Sequence, residues 1–126
     1  MNWKQLCLYA AIFFSLRAVL GFAEGLLFPS PHSVLWGAAV SFAVAFAVFA
    51  HFCLHQRSQT LPHAALLVLS AAAVDIAIYQ ATLHTALSLD PFETALGWAG
   101  LLLGAFVGTS VGIASRGDLE TPANVA

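Results

Sequence analysis

Residues 92–114 read FETALGWAGLLLGAFVGTSVGIA. Two features of this stretch decide the fold class. It is apolar on nearly every face for about the 20 residues that a helix needs to cross a bilayer core roughly 30 Å thick. It also places Gly100, Gly104, Gly108 and Gly112 four residues apart. On a helix that spacing makes one flat stripe, along which another backbone can approach closely. A transmembrane strand is excluded, because barrel strands alternate in polarity over segments of about ten residues.

Three further runs of the same kind precede it, at residues 6–28, 33–54 and 61–86. The 126 residues are 60% hydrophobic and only 8% charged, with a mean hydropathy of +0.88. Soluble domains carry about 25% charged residues, so this chain lacks the charge to cover a water-facing surface. Four Lys plus Arg and a net charge of -2 leave no basic patch for nucleic acid. The sequence therefore predicts an all-α polytopic membrane protein: four transmembrane helices in an antiparallel up-down bundle, one domain over residues 1–116, then a polar tail at 117–126.

The gaps carry helix-start chemistry. Ser30 and Pro31 precede the second run, Thr60 and Pro62 open the third, and Asp90, Pro91 and Glu93 open the fourth. Each pairs a capping side chain with a proline whose missing N–H a first turn leaves unpaired anyway. Such short gaps predict that consecutive helices are antiparallel neighbours. Lys4, Arg57 and Arg116 all fall on one side of this topology, and the loops on the other side hold no Lys or Arg. Both termini are therefore expected in the cytoplasm, with the chain in a bacterial-type inner membrane. Trp3, Trp36 and Trp98 fall near span ends, as aromatic belts require. Lys4 and the run after it resemble the start of a signal peptide, but apolar sequence continues past Arg17 with no clear small-x-small cleavage site, so the run is read as a retained span.

Three charges lie well inside spans, each costing about 2.5–3.5 kcal/mol at a helix centre on insertion scales. Arg17 and Asp75 stand near the middles of the first and third spans, which predicts an intramembrane ion pair. Glu24 follows Arg17 by two turns, about 10 Å along the axis. Tyr79 and Thr82 continue the face of Asp75. Arg17, Glu24, Asp75, Tyr79 and Thr82 together are expected to form a polar seam facing the bundle interior. The glycine stripe serves either a seam with another copy or membrane subunit, or packing within the bundle. Weaker small-residue patterns occur at Gly37, Ser41 and Ala45, and at Gly21 and Gly25.

Histidines are numerous. His51 and His55 stand one turn apart at the end of the second helix, His63 begins the third on the same side, and Cys7 and Cys53 fall at that end too. Imidazoles at this spacing can share a metal ion, or helices can hold haem between them; solvated histidines at an interface are the alternative. His32 and His84 fall on the opposite side. Two cysteines on a reducing side are read as small apolar residues rather than a disulfide. No CxxC, HExxH, phosphate loop or dinucleotide fingerprint occurs.

Size and four-span plan are similar in architecture to small multidrug transporters and fluoride channels. Their signature residues find no match at these positions, so nothing of their sites is carried over. The leading expectation is a transport-related or complex-forming membrane subunit, working as a homo-oligomer or within a larger membrane complex, with Arg17 and Asp75 as its central polar pair. The alternatives are a haem- or metal-binding membrane protein using His51, His55 and His63, and an immunity-type protein that blocks a membrane-acting toxin. A membrane enzyme comes last.

Overall fold

The structure, a computed structural model, describes residues 3–27, 33–56, 60–82 and 90–120. They form four helices: α1 (Trp3–Leu27), α2 (Ser33–His55), α3 (Thr60–Thr82) and α4 (Pro91–Glu120). Each is long and apolar enough to cross a membrane. The expected start at Ser30 and Pro31 lies outside the described residues.

Local chemistry sets the helix starts. The Asp90 carboxylate accepts a 2.8 Å hydrogen bond from the Phe92 amide, with Pro91 as the first helical residue. This satisfies one donor that a helix start leaves open. Thr60 departs from the capping role expected of it. It is itself the first residue of α3, and its hydroxyl donates to the Gln56 carbonyl at 3.0 Å. At the other end, α4 runs on through Glu120, so residues 117–120 of the expected tail are helical. Its 30 residues span about 45 Å, more than the roughly 30 Å of a bilayer core.

The helices alternate in direction. Tyr9 meets Phe52 and Phe13 meets Phe49, with ring centroids 5.0 and 6.2 Å apart, so α1 and α2 are antiparallel. Gly100, Gly104, Gly108 and Gly112 lie opposite the carbonyls of Ala38, Phe42, Phe46 and Ala50 in that order, so α2 and α4 are parallel. Arg116 near the end of α4 reaches Gln56 and Thr60, where α2 ends and α3 begins. The start of α1 and the end of α4 therefore share one end of the bundle with the end of α2 and the start of α3.

Packing does not follow chain order. The most extensive contact by a wide margin is α2 on α4; α1 packs on α2, while α3 approaches α1, α4 and α2 only lightly. The expectation that consecutive helices are the close neighbours is corrected on this point. The reason is steric. Gly100, Gly104, Gly108 and Gly112 remove every side chain from one face of α4, and two backbones then come together as far as their carbonyls allow. Larger side chains hold the other helix pairs apart. Phe13, Phe49, Phe52 and Leu67 are fully buried and fill the half of the bundle nearest the α1 start, and Leu101 of α4 is fully buried beyond the middle. The opposite half is less covered: Val19, Phe22, Leu26 and Leu27 of α1 and Ile76 and Ile78 of α3 are all exposed.

Candidate functional site

Arg17 and Asp75 meet. One guanidinium nitrogen, Nη1, donates to both carboxylate oxygens, at 2.9 Å to Oδ2 and 3.2 Å to Oδ1. This is a single nitrogen straddling a carboxylate, not the two-nitrogen fork of the strongest Arg pairs. The guanidinium carbon also stands 5.7 Å from the centroid of the Phe13 ring, within cation–π range. Because Phe13 is fully buried, its ring gives the guanidinium a fixed surface to lie over.

Matched depth makes the pair possible. At 1.5 Å per residue, Arg17 lies about 21 Å from the start of α1 and Asp75 about 22 Å from the start of α3. Both start at the same end of the bundle, so the two charges are level, somewhat past the middle of their helices. The side chains keep 24% and 21% of their surface uncovered. The pair therefore sits at the edge of the contact between α1 and α3, not in a sealed core. Exposed Val74 and Ile76 flank Asp75, and exposed Leu16 precedes Arg17. Lipid chains offer no hydrogen bonds to those remaining surfaces.

Of the expected seam, the structure brings together Arg17 and Asp75. Tyr79 is half-buried one turn beyond Asp75. Glu24 and Thr82 stand on α1 and α3, and their side chains lie outside the described set. His32, His84 and Arg57 also lie outside the described residues.

The glycine face of α4 is turned to α2 within the chain. A Cβ built on Gly108 or Gly112 would stand 2.5 or 2.6 Å from the carbonyl oxygen of Phe46 or Ala50, and one on Gly100 or Gly104 would collide with that of Ala38 or Phe42. The reading of this stripe as a free seam for a second copy is thereby corrected, since α2 already occupies it. Ala45 borders the seam beside Gly104, and Ser41 stands 4.0 Å from a Cβ built on Gly97. Gly21 packs against nothing within 4 Å.

At the end of the bundle where α1 begins, a second polar group forms. The Tyr9 hydroxyl and His51 Nδ1 share a 2.8 Å hydrogen bond. His55 Nδ1 donates to the His51 carbonyl at 2.9 Å, and the two imidazoles lie 4.2 Å apart between centroids. Tyr9 is buried, whereas His51 and His55 are exposed. His63 is buried on α3 beside Phe52. Among the described residues, no three His, Cys, Asp or Glu side chains group as a metal site.

Arg116 has a role that charge counting missed. Its guanidinium donates to the Gln56 carbonyl and to the Thr60 hydroxyl, tying the end of α2 and the start of α3 to the end of α4. A cation on the carbonyls at a helix C-terminus also opposes the negative end of that helix dipole. In sequence, Arg116 is one of three cations on the same side; only the parallel seam of α2 and α4 brings it to Gln56.

A groove of about 430 Å³ opens on α3 and α4. Ala64, Ala65 and Val68 form one wall, Leu102, Ala105 and Phe106 the other. No protein-family model, curated protein or solved structure matches this chain.

Proposed function

We propose that this chain is a membrane subunit that acts by assembly, with copies of itself or within a larger membrane complex, in a transport-related role. The observation that carries this reading is the Arg17–Asp75 pair, at matched depth in two membrane-length helices and still about a fifth uncovered. A charge pair facing hydrocarbon is costly, and a neighbouring helix with a polar group relieves that cost. Two further features support the reading. The exposed apolar outer half of α1 and the groove on α3 and α4 offer surfaces to another helix or to lipid. The bundle interior is filled by Phe13, Phe49, Phe52, Leu67 and Leu101, so a polar route for a solute belongs at a boundary between chains. The cytoplasmic side is assigned to the end that holds Lys4 and Arg116, in a bacterial-type inner membrane, by the bias of cations toward the inside.

Purification from native membranes in a mild detergent, with mass measured on the intact particle, tests this. The expected result is a complex larger than one chain that Asp75→Asn weakens. A complex of identical chains that changes ion or solute flux in vesicles makes the assembly itself the transporter; a different, larger subunit makes this chain accessory. A stable single chain, or a complex whose partner content Asp75→Asn leaves unchanged, refutes the reading.

A further inference from the structure

We infer that His51 and His55 form a binding site for a borderline divalent transition-metal ion such as Zn2+, with Tyr9 as a positioning residue. The argument starts from which ring nitrogens are free. A backbone carbonyl only accepts, so the 2.9 Å contact from His55 Nδ1 to the His51 carbonyl requires the proton on Nδ1. In the neutral ring Nε2 then holds a lone pair, the form that ligates a metal. Metal-binding histidines commonly show this arrangement, with the second ring nitrogen held by a carbonyl or another oxygen. His51 has the same kind of support. Its Nδ1 lies 2.8 Å from the Tyr9 hydroxyl, which can donate or accept; in the metal-binding tautomer Nδ1–H donates to that oxygen and Nε2 is left to the ion.

The two rings are placed together. They stand one helical turn apart on the same face of α2, with centroids 4.2 Å apart and planes inclined by 30°. Two imidazoles sharing one ion through Nε2 bonds of about 2.0–2.1 Å must stand near each other; these two do, and their exposed side chains have room to turn both Nε2 atoms to one ion. Both are exposed in the last turns of α2, at the end of its membrane-length span, and in the site we infer water completes the coordination there. The site uses two histidines rather than the three expected from sequence, because His63 is buried beside Phe52. Imidazole suits Zn2+, Ni2+ and Cu2+ better than Mg2+ or Ca2+, which take oxygen ligands.

The test is calorimetric titration of the untagged chain in detergent with Zn2+, with Mg2+ as a comparison. One Zn2+ per chain is expected, together with a rise in Tm on Zn2+ addition and no response to Mg2+. His51→Ala and His55→Ala should each weaken binding at least about tenfold, while His84→Ala leaves it unchanged. Both site histidines are exposed, so these variants keep the fold; the Tm without metal checks this. Tyr9→Phe keeps the ring against Phe52 and removes only the hydroxyl. It should weaken Zn2+ about tenfold with the metal-free Tm unchanged. The site is overturned if the chain shows no saturable Zn2+ binding, or if binding survives loss of both His51 and His55. Unchanged affinity in Tyr9→Phe overturns the role given to Tyr9.

Discussion

Gly108→Ala adds one methyl group to the seam between α2 and α4, and the structure sets its cost. The new Cβ would stand 2.5 Å from the Phe46 carbonyl oxygen, against an ordinary contact beginning at 3.4 Å. The obstacle is backbone, so no rotamer change relieves it. The helices must instead separate by about 0.9 Å, a gap that forfeits a quarter to a half of each contact's attraction along the seam. Overpacking of this kind costs about 1–3 kcal/mol. Replacing a helical glycine by alanine returns about 1 kcal/mol through backbone entropy. Two internal controls separate these effects. A Cβ on Gly97 meets the Ser41 hydroxyl at 4.0 Å, and one on Gly21 meets nothing within 4 Å. Gly97→Ala and Gly21→Ala should therefore be neutral or slightly stabilising, and Gly108→Ala should fall below them by about 2 kcal/mol. Equilibrium unfolding in mixed detergent micelles, followed by far-ultraviolet circular dichroism, measures the difference. If Gly108→Ala matches Gly97→Ala within about 0.5 kcal/mol, the seam is not closely packed and the reasoning fails.

Other consequences can be checked on the same preparations. Asp75→Asn leaves Arg17 without its carboxylate and should destabilise the chain by about 2 kcal/mol, less than for a fully buried pair because both groups are partly uncovered. Exchanging the charges, Arg17→Asp with Asp75→Arg, should recover at least about 1 kcal/mol in a double-mutant cycle; no recovery means the contact is not the source of the loss. Arg116→Ala should cost about 1.5 kcal/mol by releasing the Gln56 carbonyl and the Thr60 hydroxyl. Faster amide exchange at the start of α3 would mark that release, and unchanged exchange would contradict it. Cys7 is exposed and Cys53 buried, so a small thiol reagent should modify Cys7 at least about tenfold faster in the folded chain. Equal rates would place Cys53 outside the core.

The Arg17–Asp75 contact explains why two costly charges can persist within apolar spans, and it shows what a buried pair does not provide. Desolvation offsets much of the attraction, so the pair is better read as fixing which face of α1 meets α3 than as a source of net stability. Replacing both residues with leucine would separate these roles. Stability should be kept or raised by that change, and assembly with a partner that uses the pair should be lost.

Much was legible from residues alone because it depends on local chemistry. Four apolar runs give four helices, since in lipid each backbone must satisfy its own hydrogen bonds. Asp90 before Pro91 marks the start of α4, because capping needs only adjacent residues. Arg17 and Asp75 could be paired on depth, because rise per residue is constant along a helix. Helix rotation and partner choice are different in kind. Spacing shows that Gly100, Gly104, Gly108 and Gly112 share a face, but not that α2, two elements back, fills it. Nor does any local signal send Arg116 to Gln56, or seat His63 beside Phe52 while His51 leans on Tyr9. These depend on how four apolar cylinders divide their surfaces. In a bilayer, hydrophobic burial does not rank those choices, because lipid is as apolar as the helices. Close backbone approach and a few polar contacts decide them, and both exist only once the helices are together.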